Sequence, residues 1–313
     1  MNKYIKKHSN IYGCLVFVFC FFSVYAESLT MPLEEDVFKY KFSICAVFKN
    51  EEKYLEEWIE YHRIVGVEHF YLYNNGSIDG SVKVLNPYIE AGIVTLVDWP
   101  DRISEFQRDN FFAKVLINNL SAYENATKFL AVNETKWLMA LEIDEFLVPV
   151  AAASILDVVQ AHKDAPGLLI KTDFFDAFTD NQIIPRKLLV ETIKLINEPD
   201  RNIEECVEKT LFKPSYYTSF AWPPYKCNFK ENKIALEISR KELRINKYIN
   251  RPKGKIFFGK RKDKLHVDNR LLSDKELKML LDMQFEIDDQ ENIIRCFISE
   301  LRKRLNRASG WEW

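Results

Sequence analysis

Between Phe42 and Trp99 three short runs, FSICAVF, HFYLY and IVTLVDW, alternate with two helical patterns, and this alternation leaves few folds open. The first run is continuously apolar, as in a strand covered on both faces. In YLEEWIEYHRIVGV, residues Leu55, Trp58, Ile59, His62 and Val65 recur at helical spacing, Glu56, Glu57 and Glu60 fall elsewhere on the surface, and Gly66 ends the pattern. The second run enters an Asn/Gly turn, NNGSIDGS, and VKVLNPYIEAG then forms the next helix. Strands joined by helices of this length specify a βαβ arrangement with a parallel sheet. Further on, Glu105 to Ala131 fits one or two helices, Lys136 to Val148 a fourth strand, SILDVVQAH a helix and GLLIKTDFF another strand. Beyond Asn181 come shorter strands, a basic stretch and a final amphipathic helix, Ser273 to Asn306. With 313 residues, 47% hydrophobic and no internal repeat, one large domain is the simplest organisation.

In open α/β sheets, ligands gather at the carboxyl ends of the strands. Three polar clusters fall there: Lys49-Asn50-Glu51, Asn74-Asn75-Gly76-Ser77 and Glu142-Ile143-Asp144. The last lies in an apolar run, WLMALEIDEFLVPV. A buried carboxylate is costly unless it is paired, protonated or bound to a cation. In an extended strand Glu142 and Asp144 share one face, where two like charges would repel unless a divalent cation or a protonated partner sits between them, or the strand end is solvated and its acids salt-bridged. Oxygen ligands suit Mg²⁺ or Mn²⁺, which leave positions for a substrate phosphate. Glu145 would point the other way, towards a cation from another element or towards an acceptor.

Lysine and arginine total 44 against 46 acids, so no global field recommends nucleic acid as a partner. The basic segment from Arg240 to Lys264, with Tyr248, Phe257 and Phe258 interleaved, is of a kind that can bind nucleic acid or close as an arm over an anionic ligand, and a solvated face accounts for most of its charges in either case. At the start, Lys3, Lys6 and Lys7 precede an uncharged run, Ile11 to Ala26, shorter than the roughly 20 residues that span a bilayer. Residues 1–30 are therefore expected to be a cleavable signal peptide or an N-terminal membrane anchor. Cys45, Cys206, Cys227 and Cys296 are too widely spaced for a zinc site, and Cys45 is expected to be a buried thiol. GxGxxG, P-loop, HExxH and GxSxG signatures are absent. Asn75, Asn119, Asn125 and Asn133 open N-glycosylation patterns, which matter only in a secretory lumen.

The segments ICAVFKNEEKYLEEWIEYHRIVGVEHFYLYNNGSIDG and WLMALEIDEFLVP resemble glycosyltransferase family 92 and its family 2 relatives. Four blocks occur in that family's order: C-A-x-F-K-N-E, E-W-x-x-Y-H, a strand ending Y-x-N-x-S-x-D-G, and W-x-x-x-x-D-I-D-E-F. The match is close over residues 42–150 and loose beyond. The resemblance implies a GT-A-type, Rossmann-like α/β fold with a mostly parallel sheet and helices on both faces. It would occupy residues 31–313, with the nucleotide-sugar half at about 40–150 and the acceptor half with the C-terminal helix at about 151–313. It also implies transfer of a hexose from a nucleotide-diphosphate sugar, such as UDP-galactose, to a glycan acceptor, assisted by Mn²⁺ or Mg²⁺.

By position, Glu142 and Asp144 would hold the metal, with Glu142 where the family more often has Asp. Asn50, Glu51, Asn75 and Asp79 would lie along the nucleotide, and Gln107 matches a family glutamine. For Asn75 and Asp79 a turn held by its own side chains is an equal reading. The base that deprotonates the acceptor would be Asp173, Asp176 or Glu145. The late family motif N-H-Y appears as Asn246-Lys247-Tyr248. A charged lysine cannot ligate a metal, but it neutralises phosphate oxygens, so Lys247 joins the donor side, with His266 as a substitute ligand. Two rivals share these residues: a family 2 transferase with another donor, and a non-catalytic glycan-binding or effector protein on the same scaffold. A transferase with this N-terminus is expected to be membrane-associated or exported, on the side where nucleotide sugar is supplied.

Overall fold

The computed structural model describes residues 38–100, 111–176, 188–191, 195–196, 208–221, 225–249, 266–267, 270–271 and 297–309. The N-terminal segment, Gln107, most of the basic stretch, Cys206, Cys296 and the beginning of the expected final helix lie outside these residues.

The first half consists of β1 (Tyr40–Phe48), α1 (Leu55–Ile64), β2 (His69–Asn74), α2 (Ser81–Glu90), β3 (Val94–Asp98), α3 (Phe111–Asn125) and β4 (Thr135–Ala140). A π-helical turn, Ala126–Ala131, extends α3. The second half contains β5 (Glu145–Pro149), α4 (Ile155–Ala161), β6 (Gly167–Asp176), β7 (Leu195–Ile196), β8 (Glu208–Phe212), β9 (Tyr217–Ala221), β10 (Lys226–Phe229), β11 (Leu236–Glu237) and β12 (Leu243–Ile249). The short strands β13 (His266–Val267) and β14 (Arg270–Leu271) and the helix α5 (Ile298–Ser309) follow. The main sheet runs β3-β2-β1-β4-β8-β6-β12-β5. Its first four strands are all parallel, β8 is antiparallel to both β4 and β6, and β12 is parallel to β6 but antiparallel to β5. The parallel βαβ half is the one expected from the alternation of strands and helices, and the whole is the mostly parallel, GT-A-type arrangement that the resemblance implies.

Both faces of β1 are buried, which explains its unbroken apolar run. Phe42, Ile44, Ala46 and Phe48 pack with Leu55, Trp58 and Ile59 of α1, Leu85 of α2, Ile155 of α4 and Leu301 of α5. Cys45 belongs to the opposite core with Tyr71, Tyr73, Leu138, Ala122 and Tyr123 of α3, and Phe229 of β10. Helices therefore cover both faces, and Cys45 is the buried free thiol expected. Among the described residues no helix is long and apolar enough to cross a membrane.

One boundary differs from expectation. The segment from Lys136 to Val148 is not a single strand: β4 stops at Ala140, residues 141–144 turn, and β5 re-enters the sheet at its far edge. The last bond on the β1 side runs from Leu141 N to Cys45 O (3.0 Å), and Glu145 N closes the turn on Glu142 O (3.0 Å). Apolar residues on either side of the acids carry the pattern straight through the break, which is why periodicity does not reveal it.

The edge strand β5 pairs with β12 on one side only, so its remaining backbone groups need other partners. Helix α1 supplies them. Trp58 Nε1 donates to Glu145 O (2.8 Å) and Tyr61 OH to Leu147 O (3.3 Å), while Leu147 N donates to His62 Nε2 (3.2 Å). His62 Nδ1 in turn donates to Trp58 O (2.8 Å), which fixes the neutral tautomer. The spacing W-x-x-Y-H puts these three groups on one helical face because residues three and four apart are neighbours there.

Burial lowers the His62 pKa from 6.5 to about 3, against the hydrogen bond to Trp58 O. Between those values the unfolded chain binds more protons than the folded one, so stability falls as pH drops through the window. Urea unfolding should show a loss of about 2 kcal/mol between roughly pH 7 and roughly pH 5, and His62→Gln should remove that part of the slope. An identical pH profile for both proteins would contradict the buried neutral imidazole.

Candidate active site

The turns after β1 and β2 are stitched to each other. Asn50 sits in the left-handed region (φ 56), its N–H donates to Ser77 Oγ (3.0 Å), and its Oδ1 accepts from Ile78 N (2.8 Å). Glu51 N donates to Ser81 Oγ (2.8 Å), and Gly80 N to Glu52 Oε2 (3.0 Å). Asp79 Oδ2 accepts from Glu52 N (3.1 Å), and its Oδ1 accepts from Ser81 N (3.0 Å) and Ser81 Oγ (2.5 Å). Burial works to raise the Asp79 pKa, but these hydrogen bonds outweigh it and hold the carboxyl below its ordinary value. A Cβ on Gly80 would meet the Glu52 carboxylate, which would have to shift from its hydrogen bond to Gly80 N. Asn74, not singled out from sequence, secures the same corner: Oδ1 accepts from Ser77 N (2.9 Å), and Nδ2 donates to Asp98 Oδ1 (3.4 Å).

The expected donor-side residues Asn50, Glu51, Asn75 and Asp79 are thus gathered at the carboxyl ends of β1 and β2. Asn50 and Asp79 spend their side chains on the turn. Asn75 does not: its N–H donates to Phe48 O (2.8 Å), while its buried Oδ1 has no hydrogen-bond partner among the described residues. A buried acceptor left this way suits a ligand N–H or O–H.

Around the turn after β4 the three acids meet two lysines. Glu145 Oε2 accepts from Glu142 N (2.8 Å) and Lys209 Nζ (2.5 Å), and Glu145 Oε1 faces Lys247 Nζ at 3.4 Å. Lys247 Nζ also donates to Glu142 Oε2 (2.6 Å), and Tyr225 OH donates to Glu142 Oε1 (3.1 Å). Lys247 and Glu145 are register partners on β12 and β5, so their side chains rise from the same face. The Lys209 and Glu145 side chains are each 1% exposed, whereas Glu142 is 24% exposed and forms the outer edge of the cluster. Asp144 is also buried, and its carbonyl accepts from Tyr248 N (2.8 Å). Burial raises the Glu142 pKa, but Lys247 and Lys209 prevail and hold it below its ordinary value. For Glu145, burial together with the charges of Glu142 and Asp144 prevails over Lys209 and Lys247, and the pKa is raised.

Tyr225 is fixed to this cluster at a cost. Its φ of 77 is strained for a residue with a bulky side chain. The conformation is held by Thr210 N donating to Tyr225 O (3.0 Å), by the bond to Glu142, and by Lys209 Nζ lying 4.0 Å from the ring centroid.

The expectation that Glu142 and Asp144 share a strand face does not hold, because both lie in a turn where the period of two has no meaning. Glu142 and Glu145 are the acids that meet, and the cation between them is an ammonium. Both oxygens of each of these carboxylates already have donors. His62 is spent on α1 and β5, His69 bonds Gly92 O and Thr95 Oγ1, and His162 bonds Glu242. Among the described residues no three His, Cys, Asp or Glu side chains gather into an ion site. As folded, Glu142 does not fit the expected Mn²⁺ or Mg²⁺, which would require Lys247 to leave it.

The three base candidates separate. Asp173 is the register partner of Asn246, and its neighbour Phe174 is the partner of Lys247, so Asp173 points to the other face of the sheet. There it pairs with Arg240 (2.8 Å) and Arg244 (3.8 Å), and burial raises its pKa against both arginines. Asp176 ends β6 opposite Ile249. Glu145 reaches the cluster but is locked beneath two lysines. His266 begins β13. Lys209 and Tyr225 were missed, although Lys209 had a signal of the same kind as the acids: a charge inside a short apolar strand, EKTLF.

Removing one member of a buried ion pair leaves an uncompensated charge. Lys209→Met is therefore expected to destabilise the protein by roughly 3–5 kcal/mol in chemical denaturation. Adding Glu145→Gln should recover much of that loss. Additive destabilisation by the two changes would contradict the coupling.

Residues 39–283 match the sequence profile of Glycosyltransferase family 92. A glycosyltransferase family 92 protein of Oryza sativa subsp. japonica is 28% identical over 126 residues, covering 40% of this chain and 19% of the relative. Galactan beta-1,4-galactosyltransferase GALS3 of Arabidopsis thaliana is 39% identical over 103 residues, 31% of this chain and 18% of the relative. The matched segments thus span less than a fifth of these relatives' own length. Among solved structures, S. aureus TarS 1-349 in complex with UDP-GlcNAc aligns with a TM-score of 0.38 and 13% identity, covering 85% of this chain and 73% of that one. With the profile matched over well beyond half of its length, the chain belongs to glycosyltransferase family 92.

Proposed function

We propose that this protein is a hexosyltransferase that takes its sugar from a nucleotide diphosphate and passes it to a glycan hydroxyl. The observation that carries the reading is the convergence, in a family 92 chain, of the stitched turns after β1 and β2 and the lysine-bound acid turn after β4 at one edge of the parallel strands. Donor binding falls to about residues 40–150, acceptor binding to about 151–313. Likeness to a galactan galactosyltransferase supports UDP-galactose as the first donor to try. The N-terminal segment supports a membrane-associated or exported enzyme, where a secretory lumen would supply the donor.

In the reaction, the bond between the sugar's anomeric carbon and the diphosphate breaks, and negative charge grows on the departing phosphate oxygens. Preorganised positive charge at that point lowers the barrier, because the donors are already oriented when the charge appears. We assign this role to Lys247, which lies behind Glu142 in the acid turn, with Lys209 holding Glu145 beside it. Asn75 offers its vacant Oδ1 to the nucleotide. The acceptor's proton has no assigned base: Asp173 faces away and Glu145 is engaged.

The test is incubation with a panel of UDP- and GDP-hexoses, following nucleoside diphosphate release and glycan mass gain. One donor should be consumed, and Asn75→Ala should raise its KM roughly tenfold through a lost hydrogen bond while kcat stays near wild type. If glycans bind but every donor remains intact, the non-catalytic glycan-binding reading replaces this one.

A further inference from the structure

The acid turn carries Glu142, Asp144 and Glu145 within four residues, and two ammonium groups already answer Glu142 and Glu145. Lys247 is not a surface lysine that has wandered in. Its backbone is fixed by the β12 ladder between β5 and β6, its side chain is 7% exposed, and its Nζ lies 2.6 Å from Glu142 Oε2 and 3.4 Å from Glu145 Oε1. A divalent ion beside Glu142 would meet a fixed positive charge at contact distance, and each of the three described histidine side chains is bonded elsewhere. The only part of the cluster with appreciable exposure is Glu142, whose Oε1 is also steadied by Tyr225 OH.

From this geometry we infer that the Lys247 ammonium, held by Glu142 and Glu145, is the site's cation, so that the chain binds a nucleoside diphosphate without a divalent ion. The inference rests on the transferase reading above and adds the identity of the charge that meets the diphosphate. Glu142 acts as its placeholder: it holds the Lys247 ammonium just beneath the exposed edge of the cluster, and a phosphate oxygen that displaces Glu142 takes up the same ammonium through a charge-assisted hydrogen bond. Lys209 keeps Glu145 neutralised while Lys247 is shared. The arrangement also accounts for why Glu142 and Glu145 tolerate burial: each is paired with an ammonium from within the fold.

The test is calorimetric titration of the full chain with UDP and with GDP, first in EDTA and then in excess Mn²⁺, alongside electron paramagnetic resonance of Mn²⁺ alone. Wild-type affinity should agree within about twofold between the two conditions, with no saturable Mn²⁺ site. Lys247→Ala should weaken binding roughly tenfold or more in EDTA, and Mn²⁺ should then restore it, because Glu142 Oε2 is released as a ligand. Lys247→His should also bind in a Mn²⁺-dependent way. Should the variants fail to fold, the wild-type titrations decide alone. Wild-type binding that strengthens tenfold or more with Mn²⁺, or a saturable Mn²⁺ site with Lys247 in place, overturns the inference and leaves the transferase standing. No binding of either nucleotide under any condition overturns both.

Discussion

The second half of the sheet is organised around a buried carboxylate, Glu145, that two lysines from distant parts of the sequence must reach. Lys209 arrives on β8 and Lys247 on β12, and both approach within ion-pair distance. Desolvating such groups is costly unless their geometry is tight and their remaining hydrogen bonds are made. That condition couples the register of β12 on β5, the position of β8 beside β4, and the strained backbone of Tyr225. Moving any one of them would leave a charge unpaired, so the cluster selects one arrangement of strands. The same contacts fix the turn that carries Glu142 and Asp144, and thereby the outer edge of the site.

A second set of contacts holds the cluster from the other side. The block E-W-x-x-Y-H carries a family resemblance, yet its aromatic and imidazole groups perform no chemistry here. Trp58, Tyr61 and His62 satisfy the backbone of β5 at Glu145 and Leu147, and Glu57 Oε1 accepts from Val190 N at 3.1 Å. A conventional view would look to a histidine of such a block for acid–base work. Its depressed pKa and its two buried hydrogen bonds make it a structural member that holds the edge strand at Leu147.

The parallel half of the fold was plain in the sequence because its signals are local. Continuous apolar runs mark β1 and β2, helical spacing marks α1, and Asn/Gly clusters mark the turns that the structure stitches together. The break at Ala140 was hidden because Leu141, Ile143 and Phe146 continue the apolar pattern through a turn. Reading that segment as one strand put Glu142 and Asp144 on a shared face and suggested a metal between them. The true partner of Glu142 lies 105 residues away, a separation that no local pattern encodes. Asp173 illustrates the same limit: its position at a strand end was readable, but which face it presents depends on the register of β6 with β12.

The central claim is that a lysine, not a divalent ion, answers the acids at the edge of the sheet. A crystal of the protein grown with UDP and Mn²⁺, with diffraction collected at the manganese edge, tests it most directly. The account predicts nucleotide density at the carboxyl ends of β1 and β2, a diphosphate oxygen in hydrogen-bond contact with Lys247 Nζ, and no anomalous peak at the acid turn. An anomalous peak bridging Glu142, Asp144 and the diphosphate, with Lys247 swung away, would contradict it.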